Sequence, residues 1–153
     1  MFLDDCDCRL EFERQTMSRN LPQFELSGFG SDRYFIGWQT TTIKRHRYKL
    51  KLNIPSYYPD KMPSLYVTSP VTLYHYNGRD TINSKGVTHE FHTQSAGPGG
   101  CIQICHYDSS SWDASKTCVG VFMKGILWLE AYETHLTTGK SIATILNNWK
   151  RRM

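Results

Sequence analysis

No apolar stretch in the sequence approaches the roughly 20 residues that a helix needs to cross a bilayer, so no membrane-spanning helix is expected. No glycine-rich phosphate loop opens a helix-forming segment, which leaves any use of ATP to a separate protein. Positive charge is not gathered into one stripe either. The net charge is +4, and the basic residues fall in three separate places: Arg9, Arg14 and Arg19; Lys44 to Arg47; and Lys150 to Arg152. That dispersal, without a recognisable nucleic-acid module, reads as solvated surface and predicts no nucleic-acid partner. No secretory leader is expected either, because Met1-Phe2-Leu3 is followed at once by Asp4 and Asp5, and a cytoplasmic protein is expected. The five cysteines are an odd number, and in a reducing compartment they read as thiols rather than as a disulfide framework. There is no internal repeat and no low-complexity segment.

What is present suits a single compact unit. The chain has 153 residues, 39% of them hydrophobic and 13% aromatic, enough for one packed core, so residues 1–153 are expected to form one domain. Residues 5–19 contain no Gly or Pro and are rich in Arg, Glu, Leu and Met, which predicts a helix after an Asp cap, ended by Leu21-Pro22. Residues 24–54 turn to Tyr, Phe, Ile, Trp and Thr, broken at 28–32 and at the basic turn 44–47, the texture of strands and hairpins. Tyr48, Leu50, Leu52 and Ile54 alternate with Lys49, Lys51 and Asn53, so one face of that strand is expected to be buried and the other wet. Leu65-Tyr66-Val67-Thr68 supplies a further strand.

Residues 69–100 show little periodicity, and a stretch that long inside a domain is usually functional or mobile. Asp113 is expected to cap a long helix whose apolar residues Val119, Phe122, Ile126, Leu129 and Leu136 recur at helical steps, with Thr137-Thr138-Gly139 as its stop. A shorter helix follows over 141–150. The order is α+β: helix, four-stranded antiparallel meander, long loop, two helices.

Chemistry points to Gly99-Gly100-Cys101-Ile102-Gln103-Ile104-Cys105-His106. Paired glycines let the backbone approach a partner tail and leave the next side chain accessible, which suits a nucleophile. A thiol with a pKa near ~8.5 exchanges acyl groups well without an elaborate triad. Cys105 is the alternative nucleophile, but the glycines favour Cys101, and strand alternation puts Cys105 on the inward side.

At these residues the sequence resembles the ubiquitin-conjugating enzymes, in particular their bacterial relatives. Tyr58-Pro59-Asp60-Lys61-Met62-Pro63 resembles that family's Tyr-Pro-x-x-Pro-Pro turn, with Met62 replacing a proline. Gly100-Cys101-Ile102-Gln103-Ile104 resembles its Cys-Leu-x-Ile active-site segment, and Trp112 the tryptophan that follows. Trp128-Leu129, Tyr132-Glu133 and Thr138-Gly139 are similar to a pattern of members encoded beside cGAS-like nucleotidyltransferases in anti-phage CBASS operons. The resemblance implies the UBC fold and a Cys101 thioester with the C-terminal glycine of a partner. That partner would be a cGAS-like nucleotidyltransferase or a ubiquitin-like protein, and the acyl group would pass to a lysine. An activating enzyme could take part, and no metal or organic cofactor is implied.

The sequence departs from the family at its His-Pro-Asn motif, whose asparagine is thought to stabilise the oxyanion. His89-Glu90-Phe91-His92 occupies roughly that stretch, leaving His89, His92 or a backbone N–H of the glycine loop as oxyanion donor. His106, Asp108 and Asp113 are candidate bases for the incoming amine.

Two rival readings accompany this one. His89, His92, Cys101 and Cys105 could hold a tetrahedral zinc in an interaction domain, and a UBC-fold module could bind its partner without chemistry. Among the remaining residues, Cys6, Cys8 and Cys118 read as structural, and the four tryptophans as packing residues. Tyr132 and Glu133 read as facing the sheet and the solvent. Arg9, Arg14 and Arg19 read as either solubility or a docking face for an activating enzyme.

Overall fold

The computed structural model describes residues 5–107 and 110–152, with side chains from residue 8 onward, so Asp108 and the Cys6 side chain lie outside the described residues. Helix α1 (Asp5–Asn20) leads into strands β1 (Glu25–Phe29), β2 (Asp32–Thr40), β3 (Arg47–Ile54) and β4 (Ser64–Ser69). After a long loop come β5 (Ile102–Ile104), α2 (Cys118–Thr138) and α3 (Ile142–Arg151). The sheet runs β1-β2-β3-β4-β5, every neighbouring pair antiparallel. The fold is therefore α+β, with five strands where the sequence predicts four. The added strand is the cysteine segment itself, with Ile102 opposite Val67 and Ile104 opposite Leu65.

Alternation decides which face is buried. Tyr48, Leu50, Leu52 and Ile54 of β3 are all buried, as are Leu65 and Val67 of β4 and Ile102 and Ile104 of β5. Together they make one apolar sheet face. The helices supply the other half of the core. Leu10, Glu13 and Met17 of α1 recur at helical spacing and are buried, and α2 contributes Val121, Phe122, Trp128, Leu129 and Tyr132. The Phe122 ring stacks on Phe24 with centroids 4.0 Å apart, which ties α2 to the segment entering β1. A Cβ at Gly125 would lie 2.6 Å from Cδ2 of Leu65, so the glycine is what lets α2 lie this close to β4.

The helix stop is as expected, with Gly139 in the left-handed conformation (φ 78°) and its N–H donating to the His135 carbonyl. The start is not. Thr117, not Asp113, is the cap, its hydroxyl accepting from the Gly120 N–H. Asp113 instead closes a turn of its own by accepting from the Ser115 N–H at 2.8 Å. An Asp caps a turn as readily as a helix, and nothing in the spacing separates the two.

Two buried carboxylates hold α2 at its ends. Glu13 of α1 accepts from the Tyr58 hydroxyl (2.6 Å), from the Cys118 N–H at the start of α2 (2.9 Å) and from Arg9 (2.9 Å). Arg9 also donates to the Ala114 and Lys116 carbonyls, so it holds the approach to α2 rather than standing in a free basic face. Glu133, read from sequence as facing solvent, is fully buried and accepts from the Tyr48 hydroxyl (2.8 Å) and the Lys44 N–H (3.0 Å). Trp128 is buried and Trp112 and Trp149 pack on the core, but Trp38 is exposed with the Arg47 guanidinium 4.6 Å from its ring centre. Among the described residues no helix is long and apolar enough to cross a membrane.

Candidate functional site

The segment carrying the candidate thiols is a strand between two unlike surroundings. Residues 94–103 form a hairpin, in which the Gln94 N–H donates to the Gln103 carbonyl and the Gly97 N–H to the Cys101 carbonyl, both at 2.9 Å. Gly99 (φ 72°) and Gly100 (φ 83°) take left-handed backbone that a β-carbon disfavours, which is why the turn is built from glycine. The Asn83 side-chain amide reaches across to donate to the Gly100 carbonyl at 2.7 Å.

Cys101 follows this turn. Alternation from Ile102, which faces the core, places Cys101 on the opposite sheet face with Gln103 and Tyr66. It is only 3% exposed, yet it belongs to no part of the main apolar core. Its cover is local. A β-carbon at Gly97 would lie 2.9 Å from the Cys101 Sγ and 2.4 Å from a Tyr66 ring carbon, so glycine backbone, tyrosine ring and sulfur are in mutual contact. Burial pushes the thiol above its ordinary pKa, while a backbone hydrogen bond and the Lys51 ammonium pull in the other direction. The accessible nucleophile expected from the paired glycines is thus, in this conformation, a covered one. The same glycines that free the backbone also let it fold down onto the sulfur.

The histidines lie at the far end of the strand. The Cys105 N–H donates to the His92 carbonyl at 2.8 Å, and Thr93 bridges to Ile104. Three residues of strand, four steps, separate Cys101 from Cys105, about 13 Å at the usual rise. The His89 and His92 rings are 4.9 Å apart, His89 exposed and His92 half-buried with a φ of 50°. Burial, then His89, Lys150 and Lys124, lower the His92 pKa. Cys105 comes after β5 has ended, so strand alternation no longer governs it. It is half-buried and lines a groove shared with His92, His106 and Lys124. His106 is almost fully buried, its Nε2 2.8 Å from the Pro63 carbonyl, and burial lowers its pKa to about 4. Asp113 is exposed, its carboxyl held below the ordinary range by hydrogen bonds from Ser115.

The sequence-derived site therefore divides in two. Cys101 keeps company with Gly97, Tyr66, Asn83 and Lys51. His92 and His106 line a groove with Cys105, His89 stands beside His92, and Asp113 stands on a separate turn. Asn83 was missed from sequence because it lies 18 residues ahead of Cys101 in an aperiodic loop. Among the described residues, no group of three or more His, Cys, Asp or Glu side chains is placed to hold a metal ion, so the four zinc candidates are not assembled. Cys118 is fully buried with its Sγ 3.3 Å from the Tyr58 hydroxyl, while Cys8 is exposed.

Farther along, Trp112 folds back, its indole N–H donating to the Pro59 carbonyl at 2.8 Å, with its ring 6.3 Å from that of Tyr58. The Tyr58-Pro59 turn and the tryptophan after the cysteines, distant in sequence, are thereby joined. The chain matches no protein-family model, no curated protein and no solved structure.

Proposed function

We propose that this protein is a UBC-like transferase in which Cys101 carries an acyl group as a thioester and passes it to an amine. The Cys101 thiolate attacks the activated C-terminal glycine carbonyl of a donor protein, supplied as a thioester or acyl-adenylate by an activating enzyme. The carbon–sulfur bond forms as the thiol or AMP leaves. A lysine amine then attacks the thioester, the amide forms, the Cys101 thiolate departs, and the amine proton passes to solvent or a nearby base. By resemblance the donor is a cGAS-like nucleotidyltransferase of an anti-phage operon, or a ubiquitin-like protein.

The observation that carries this reading is the setting of Cys101 on the sheet face away from the helices, outside the core cluster and against the Gly97 turn and the Tyr66 ring. Lys51 is at hand to favour the thiolate. The element order and the Trp112–Pro59 bond are in keeping with the resemblance. The Asn83 amide, fixed one residue before the thiol, is the candidate oxyanion donor in place of the missing asparagine. A second reading puts the acyl group on Cys105, and what favours it is that this thiol lines a groove beside His92 and His106.

One experiment separates the two. Each cysteine is replaced in turn by serine in the native host, and adducts stable to thiol are sought. Cys101→Ser is expected to trap the donor as an oxyester while Cys105→Ser behaves as wild type. Trapping on Cys105→Ser alone would move the acyl group to position 105, and trapping on neither would leave a module without this chemistry.

A further inference from the structure

The groove beside Cys105 is bounded by α2, α3 and the residues that follow β5, and it encloses ≈ 250 Å³. Ile104, Leu127, Trp128 and Leu146 give it apolar walls. Lys124 and Lys150 give it positive charge, and among the described residues no Asp or Glu lines it. Among the described residues neither lysine has a carboxylate partner. Lys124 instead rests its ammonium 3.8 Å from the centre of the Tyr107 ring. Burial, then Lys150 and Lys116, lower its pKa, against a smaller opposite pull from Cys105, so the cations crowd one another.

His106 adds an unmet polar group to the same wall. A carbonyl can only accept, so the contact with Pro63 fixes the ring proton on Nε2 and leaves Nδ1 as an acceptor. That Nδ1 is buried and, among the described residues, has no hydrogen-bond partner. Folded structures satisfy nearly all such atoms, and because this one is closed to solvent, a ligand N–H reaches it only when the wall of the groove shifts.

We propose that this groove binds the free carboxylate end of a peptide chain whose last side chain is apolar. The three features match that ligand part by part. The carboxylate answers Lys124 and Lys150, the side chain covers the apolar walls, and the last amide N–H serves His106 once the wall shifts to bare its Nδ1. A bare phosphate would satisfy the cations alone, and no arginine fork lines the groove to favour one. The volume suits about one residue. The proposal stands apart from the acyl-transfer reading, because a thioester-linked tail has no free carboxylate.

Cys105 is a built-in reporter, since it lines the groove, and exposed Cys8 on α1 is an internal control. Alkylation of both thiols by anionic iodoacetate and by neutral iodoacetamide is followed by peptide mapping. The ratio of iodoacetate to iodoacetamide rates is expected to be about fivefold higher at Cys105 than at Cys8, the equivalent of about 1 kcal/mol of charge attraction. N-acetyl-leucine is expected to slow Cys105 alkylation where N-acetyl-leucinamide does not, and the double variant Lys124→Gln, Lys150→Gln to abolish both effects. Equal ratios at the two thiols would overturn the proposal. So would equal protection by the amide, and so would protection by inorganic phosphate alone, which would make the groove a plain anion site.

Discussion

At the residue scale the account turns on Gly97. A methyl group there would meet Tyr66 ring carbons at 2.4 and 2.5 Å and the Cys101 sulfur at 2.9 Å, so the turn over the thiol has to move outward. Gly97→Ala is therefore expected to raise the alkylation rate of Cys101 about tenfold, as an opening made easier by about 1.4 kcal/mol would. Cys8 in the same sample should not change, and peptide mapping after timed iodoacetamide treatment reads both. An unchanged Cys101 rate would mean that something other than this turn covers the sulfur. Sequence reasoning reached Cys101, because a thiol behind paired glycines is a local pattern. It missed the cover and the partner Asn83, because both come from distant segments brought together by the β4–β5 register. Cys105 lies one residue beyond the end of β5, where the alternation of Ile102 and Ile104 no longer sets a side, and the sequence does not mark that end.

At the scale of elements, β3 and α2 were legible because their apolar residues keep the period of the element that buries them, and α1 and the earlier strands because of their composition. β5 was not, since three residues next to Gly and Cys give too short a run to set a period. The two carboxylates that fix α2 were hidden for a different reason. Nothing in a sequence distinguishes a Glu that will be buried with partners from one that will be solvated. Glu13 ties together α1, the Tyr58 turn and the first N–H of α2, where a negative charge also meets the positive end of the helix dipole. Glu13→Ala removes one side of a buried ionic network and is expected to cost about 3–5 kcal/mol in urea unfolding. A loss no larger than that of Glu11→Ala, which breaks the exposed Arg14–Glu11 pair of the same helix, would show that the network is not holding these elements. Crowding at Gly125 gives a second expectation of this kind. Gly125→Val drives a side chain into Leu65 and should destabilise by about 1–3 kcal/mol or more, measured in the same way.

At the scale of the whole molecule, stability should depend on pH through buried histidine. Burial holds His106 at about 4, against about 6.5 for an exposed histidine. The unfolded chain then binds a proton that the folded one refuses, so stability is fully present above about pH 6.5 and falls as the pH drops toward 4. His106 alone accounts for about 3 kcal/mol of that fall. His92 and His135, lowered chiefly by burial, act in the same direction. Urea unfolding between pH 8 and pH 4 should show the decline, and His106→Gln should flatten it. A His106→Gln profile parallel to wild type would remove His106 as its source.

The whole-molecule claim is that a sulfur at the edge of this sheet carries another protein's tail. Intact mass measurement of the protein isolated from its native host in acid, split into samples with and without added thiol, tests it most directly. The expected result is a fraction heavier by the mass of one protein chain, lost on thiol treatment and mapping to Cys101. A single unmodified mass in both samples, from cells in which the system is active, would contradict it.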